Sequence, residues 1–168
     1  MTKQILSSAR PTVYFDNCLV GAVVKGDHPA EMPALAALLR QHDAGALSVA
    51  ASTEVLGEIQ RLPAQYQGPH LAVYGQLRRL PAATVTWIDE TATSGTQSTD
   101  EDYEKLRHLL PDELDRRHVL HAIKNRVDYF ATVDKASILK HRPKLERMFT
   151  LKFGTPAEIV AALNIPTT

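Results

Sequence analysis

The chain has 168 residues, 44% of them hydrophobic and 23% charged, which suits a single folded domain with a buried core. Nineteen basic residues balance nineteen acidic ones, which argues against a uniformly cationic nucleic-acid-binding surface but allows a local basic patch. One cysteine excludes an internal disulfide and a metal–thiolate cluster. No apolar run approaches the ~18 residues that span a bilayer, so we expect a cytoplasmic protein without a membrane segment.

The first half of the chain alternates strand and helix patterns. Residues 1–11 are polar and irregular and predict a tail, followed by one domain over 12–168. The β-branched and aromatic run TVYF predicts a strand over 12–15 that breaks at Asp16 and Asn17. Apolar spacing and capping residues then predict a helix over 31–42, a strand over 47–50, a helix over 52–61 and a helix over 70–80.

The second half continues the alternation. TVTWI predicts a strand over 84–88, and the low-complexity segment TATSGTQST predicts a polar loop over 91–99 within the domain. In DRRHVLHAIKNRVDYFATVD, helical apolar spacing begins at Asp115, and a strand over 129–133 ends at Asp134. A strand over 148–153 and a helix over 155–163 complete the pattern. Such alternation predicts an α/β domain with a mainly parallel sheet and helices on both faces.

Four acids fall at corresponding places in these elements. Asp16 and Asp134 end strands, while Glu54 and Asp115 lie in the first turns of helices. In an open parallel sheet these positions meet at the carboxyl edge of the strands. Four carboxylates gathered in one pocket repel one another unless some are protonated or a cation is bound. Oxygen ligands suit Mg²⁺ or Mn²⁺, so we expect these four acids to form a catalytic metal site.

The same residues carry a resemblance to a known family. VYFDNCLV around Asp16, SVAASTEVLGEI around Glu54, DRRHVLHAI from Asp115 and FATVD ending at Asp134 resemble, in order, the motifs of PIN-domain nucleases. The resemblance implies a metal-dependent ribonuclease that uses the four acids to bind Mg²⁺ or Mn²⁺ and cut RNA. It also implies VapC-type toxin relatives, which form homodimers and are inhibited by an antitoxin protein. Asn17 and Cys18 depart from the small hydroxyl residue and Asn that commonly follow the first acid.

Other residues are candidates for supporting roles. Thr132 alternates with Asp134 along its strand, and we expect it, with Asn17, to orient the carboxylates from behind. Basic side chains next to the acids are candidates for contacts with RNA phosphates, namely Arg116, Arg117 and Lys135.

Several neighbouring residues are assigned ordinary structural roles. Asp112 precedes Asp115 by one turn, and we interpret it as a helix cap rather than a ligand. We interpret Cys18 as a small core residue, and His118 and His121 as solvated or helix-packing residues rather than zinc ligands.

Two other functions remain open from the sequence. A PIN-like module that binds RNA or protein without cutting would keep the fold and lack cleavage with any divalent metal. A phosphotransferase or phosphatase would use Asp16 as nucleophile. That chemistry usually places a second acid two residues later, where this chain has Cys18.

Overall fold

A computed structural model describes residues 10–81 and 100–168 of the chain. The predicted strand over 84–88, the predicted loop over 91–99 and most of the predicted tail lie outside these residues. The described residues form five strands: β1 (Thr12–Phe15), β2 (Ser48–Ala51), β3 (Arg78–Arg79), β4 (Tyr129–Ala131) and β5 (Lys152–Gly154). None of the helices in this part of the chain has the length and hydropathy that crossing a membrane requires.

Helices connect these strands. The α-helices of the described residues are α1 (Asn17–Lys25), α2 (Met32–Asp43), α3 (Thr53–Gln60), α4 (Ala64–Gln76), α5 (Glu101–Arg107), α6 (Glu113–Lys124), α7 (Arg142–Met148) and α8 (Pro156–Ala162). A short 3-10 turn, Leu139–His141, leads into α7.

The strands form one parallel sheet in the order β3-β2-β1-β4-β5, with β1 at its centre. Residues alternate between the two faces of each strand. Val13 and Phe15 join a core cluster with α1, α2, α3, α4 and α8, whereas Tyr14 joins a second cluster with α5, α6 and α7. This confirms the predicted parallel sheet with helices on both faces.

Local signals placed several boundaries incorrectly. The fourth helix begins after Pro63, continues through Pro69 and ends at Gln76, so the prediction of 70–80 is wrong at both ends. Arg78 and Arg79 instead pair with Ala50 and Ala51 as the edge strand β3, because backbone pairing with β2 outweighs the weak β-propensity of two exposed arginines.

Two further segments differ from the sequence prediction. Residues 17–25 form a helix that no pattern predicted, and it ends at Gly26, whose φ of 65° suits glycine. Met148 belongs to a helix rather than to the predicted strand over 148–153, and β5 begins only at Lys152.

The outer edge of β5 is covered by a side chain. Lys152 N–H donates to the carbonyl of Asp128 on the β4 side, so the next amide, that of Phe153, faces outward. Glu146 Oε1 accepts from this Phe153 N–H at 2.9 Å. The carboxylate of Glu146 also faces Arg142 Nε at 3.4 Å, which holds it against the strand.

The α6 helix owes its position to apolar burial. Leu120 lies in the second core cluster and is 0% exposed. We expect Leu120→Ala to lower the free energy of unfolding by about 2–5 kcal/mol, because the lost side chain leaves a cavity. Urea unfolding followed by circular dichroism measures this change. The matched control is Leu71→Ala on α4, where Leu71 is 39% exposed and a change within about 0.5 kcal/mol is expected. Equal losses for the two variants would contradict this placement of α6.

Candidate active site at the carboxyl edge of the sheet

The sheet topology brings the four predicted acids to one edge. Asp16 directly follows β1, Glu54 is the second residue of α3 after β2, and Asp134 follows β4. Asp115 lies in the first turn of α6, whose far end leads back to the start of β4. Because β2, β1 and β4 are adjacent and parallel, their carboxyl ends and the connected helix starts share this side.

Asp16 is the most deeply buried of the four. It is 6% exposed and caps α1, with Oδ1 accepting from the amide of Leu19 at 3.2 Å and from Cys18 Sγ at 2.7 Å. Burial raises the pKa of Asp16 above its usual value, although the contacts with Cys18 and Thr132 oppose the rise. The Cys18 thiol therefore donates a hydrogen bond to Asp16 and also packs against the first core cluster.

A serine hydroxyl joins Asp115 to Asp134. Ser137 Oγ lies 2.6 Å from Asp115 Oδ2 and 2.8 Å from Asp134 Oδ2. A hydroxyl carries one proton, so it can donate to only one of these carboxylates at a time. Burial raises the pKa of Asp115, and the charges of Asp112 and Asp134 add to that rise, while the Ser137 contact opposes it. The pair therefore favours one shared proton or a bound cation.

Ser137 was not recognised in the sequence. The amides of Ala136 and Ser137 both donate to Asp134 Oδ1 at 3.0 Å, which turns the chain back over that carboxylate. An Asp followed three residues later by Ser is a common local turn signal, and here it placed the hydroxyl. The second partner of the Ser137 hydroxyl, Asp115, lies 22 residues away in sequence, so no local pattern predicts that contact.

Glu54 faces two basic side chains of α6. Its Oε1 lies 3.5 Å from His121 Nε2, and its Oε2 lies 3.9 Å from Arg117 Nη1. Interaction with His121 and then with Arg117 holds the pKa of Glu54 below its usual value. Glu54 is therefore ionised at neutral pH and is directed toward α6, where the Arg117 guanidinium opposes its charge.

The two supporting residues have different surroundings. Thr132 is fully buried, and its Oγ1 accepts from the Asp134 amide at 3.0 Å, so it fixes the backbone that carries the acid. Asn17 Oδ1 is buried and has no hydrogen-bond partner in the described part of the chain. A buried carbonyl oxygen without a protein donor favours a bound water molecule.

The three basic residues predicted to contact RNA phosphates differ in their exposure and in their partners. Arg116 is 6% exposed, and its Nη1 donates to the carbonyls of Leu110 and Pro111 at 2.9 Å. Arg116 is buried and hydrogen-bonded to backbone carbonyls just before α6. The prediction that it contacts RNA phosphates is therefore wrong. Arg117 is ion-paired with Glu113 and faces Glu54, whereas Lys135 is exposed beside Asp134.

The structure also shows the surroundings of Asp112, His118 and His121. Asp112 Oδ1 accepts from the amides of Leu114 and Asp115, which confirms its interpretation as the cap of α6. His118 and His121 are 3% and 2% exposed, so the solvated alternative is wrong and the packing alternative holds. His118 lies between Tyr14 and Glu58, at 2.6 Å and 2.7 Å.

The oxygen chemistry of this edge suits a divalent metal, but its side chains are not gathered around one point. Within residues 10–81 and 100–168, no three His, Cys, Asp or Glu side chains are close enough together to hold a metal ion. Asp115 and Asp134 form one pair through Ser137, while Asp16 and Glu54 turn toward donors of the protein. Binding one ion through three of them requires side-chain rotation.

A five-stranded, all-parallel sheet with helices on both faces is consistent with a PIN-like fold. Among solved structures, a chain of VapBC2 from Rickettsia felis, crystallised bound to a DNA fragment from their promoter, is similar to this fold. The alignment covers 86% of this chain and 98% of that chain, with a TM-score of 0.53 and 17% sequence identity. No family model and no curated protein matches this sequence.

The buried charge of Asp16 has a consequence for stability. A carboxyl group whose pKa is raised by folding stabilises the protein below its unfolded pKa, and that contribution is lost as the pH rises through the folded value. We expect Asp16→Asn, which keeps the helix cap without the charge, to be more stable than the wild type at pH 7. The advantage should shrink as the pH falls toward 4.

Urea midpoints measured from pH 4 to pH 8 test this expectation. The matched control is Asp112→Asn, which changes a solvent-exposed capping acid of α6 and keeps the cap. If Asp16→Asn is less stable than the wild type at pH 7, and by the same amount at pH 4, the role assigned to burial is contradicted.

Proposed function

We propose that this protein is a metal-dependent endoribonuclease of PIN type, with Asp16, Glu54, Asp115 and Asp134 as its acidic site. The observation that carries the proposal is the contact of two carboxylates, Asp115 and Asp134, with one hydroxyl at the sheet edge that also holds Asp16. Like charges so placed favour a cation, and oxygen donors favour Mg²⁺ or Mn²⁺.

The chain's residues divide the work around that cation. Asp16, Asp115 and Asp134 would hold it, and Glu54 would complete the acidic set at the start of α3. When bound, the ion would lower the pKa of a water molecule and offset charge on the scissile phosphate. Ser137 would orient the carboxylates of Asp115 and Asp134, and the buried oxygen of Asn17 would accept a hydrogen bond from water near Asp16.

RNA is the proposed substrate because basic side chains border the acids without surrounding them. Lys135 is exposed next to Asp134, and Arg117 lies between Glu113 and Glu54 at the edge of the site. A few cations of this kind position a phosphate backbone, and a neutral chain overall makes non-specific binding weak.

We further propose that the protein is the toxin of a toxin–antitoxin pair, acting in the cytoplasm as a homodimer and inhibited by an antitoxin protein. The support is the resemblance of the motifs to VapC-type nucleases, together with a fold similar to that of a chain of VapBC2. Induced expression of the wild type, but not of Asp16→Asn, should then arrest bacterial growth.

The cleavage test compares the wild type with Asp16→Asn on a mixed RNA pool in Mg²⁺, Mn²⁺ or EDTA. We expect cutting with either metal, none in EDTA, and a loss of at least about 100-fold in the variant, because the metal loses a charged ligand. Electrophoresis of end-labelled RNA measures it.

Asp112→Asn is the control for cleavage as well. Asp112 caps the same helix that carries Asp115 but lies outside the acidic set, so activity within about threefold of the wild type is expected. Folded wild-type protein that cuts no RNA with either metal would favour the non-cleaving binding module instead.

A further inference from the structure

A buried chain of hydrogen bonds lies directly beneath the acidic edge. Tyr14 Oη lies 2.7 Å from Ser52 Oγ and 2.6 Å from His118 Nδ1. The other ring nitrogen of His118, Nε2, lies 2.7 Å from Glu58 Oε2. Tyr14 and Ser52 are 0% exposed and His118 is 3% exposed, so water does not compete for the bonds among these three residues, whereas the Glu58 side chain is 20% exposed.

Tyr14, Glu58 and His118 each lie close in sequence to one of the acids. Tyr14 is on β1, and Asp16 follows it by two residues, directly after that strand ends. Glu58 follows Glu54 by one helical turn on α3. His118 follows Asp115 by about one turn on α6. The hydrogen bonds therefore join the three elements that carry Asp16, Glu54 and Asp115.

We propose that His118 is a positioning residue for the acidic site, which fixes β1, α3 and α6 relative to one another and supplies a positive charge facing the carboxylates of Asp16, Glu54 and Asp115. The inference rests on the proposed nuclease function for its catalytic consequence. Its structural part stands on the hydrogen bonds to Tyr14 and Glu58.

Proton counting permits the charged form of His118. Nε2 must carry a hydrogen to donate to the Glu58 carboxylate. When Nδ1 is also protonated, it donates to Tyr14 Oη, and the Tyr14 hydroxyl in turn donates to Ser52. Both ring nitrogens are then satisfied without moving a heavy atom. The network therefore accommodates an imidazolium in a buried place, where an unpaired charge would be costly.

The charges around His118 are consistent with this form. Burial lowers its pKa, but the hydrogen bond and charge of Glu58, with the charges of Asp16 and Glu54, raise it above the ordinary histidine value. Tyr14 and Asp16 face it from β1, and Glu54 and Glu58 face it from α3. On its own helix, the charge of His118 in turn opposes the rise in the pKa of Asp115.

His118→Gln and Glu58→Gln test the proposal against a matched control, His70→Gln. His70 is 5% exposed and is hydrogen-bonded to the Tyr66 carbonyl, but it lies on α4, outside the three joined elements. Glu58→Gln keeps an acceptor for His118 and removes the negative charge. All four proteins are compared under conditions in which urea unfolding shows them fully folded.

The first readout is steady-state RNA cleavage with Mn²⁺. We expect His118→Gln to lower kcat by at least about tenfold, with KM for RNA within about twofold, because a displaced acid changes the reaction step and not the RNA contacts. Glu58→Gln should lower kcat by a smaller factor. A kcat within twofold of the wild type in His118→Gln would overturn the catalytic consequence.

The second readout needs neither metal nor substrate. In ¹⁵N-labelled protein at pH 6.5, both ring nitrogens of His118 should show the shifts of an imidazolium. His118→Gln should displace the amide signals of Asp16, Glu54 and Asp115, and His70→Gln should leave all three in place. A neutral His118 ring, or unmoved signals at these acids, would overturn the structural part.

The two readouts separate this inference from the nuclease proposal. Wild-type protein that cuts no RNA, yet shows the charged His118 and the displaced amide signals, would overturn the nuclease proposal and support the bracing. If the wild-type protein cuts RNA while His118→Gln changes neither kcat nor the amide signals, the nuclease proposal is supported and the positioning role of His118 is overturned.

Discussion

The like charges of Asp115 and Asp134, which contact one hydroxyl at the carboxyl edge of the sheet, are the constraint around which the acidic site is arranged. Parallel strands place their carboxyl ends together, and Asp16, Asp115 and Asp134 follow from that geometry. The acids at this edge have different partners: a thiol at Asp16, a shared hydroxyl between Asp115 and Asp134, and the side chains of Arg117 and His121 at Glu54. Two carboxylates that share one hydroxyl are costly to keep ionised together, which lowers the stability of this edge.

The hydrogen bonds that join Tyr14 to Ser52 and His118, and His118 to Glu58, link the polar site to the apolar core. Tyr14 stacks on Phe130 with ring centroids 5.0 Å apart, so the hydrogen-bonded chain is anchored in the second core cluster. The apolar core and the polar network thus share a residue.

Sequence patterns predicted the α/β class, the parallel sheet and the strand-end acids, because each depends on local periodicity and on a general rule of topology. They did not predict Ser137 or the role of His118, because those contacts join residues far apart: 22 positions for Ser137 with Asp115, and 104 for Tyr14 with His118. The edge strand β3 escaped for the same reason, since Arg78 and Arg79 become a strand only by pairing with β2.

The carboxylate of Glu146 on the outer amide of Phe153 affects how copies of this domain can meet. Within the three residues of β5, that amide is the outward-facing donor, and it is already bonded at 2.9 Å. A strand from another chain would have to displace Glu146 and leave its charge beside Arg142 without the amide. Sheet extension across this side, including the strand stacking that leads to fibrils, is thereby disfavoured.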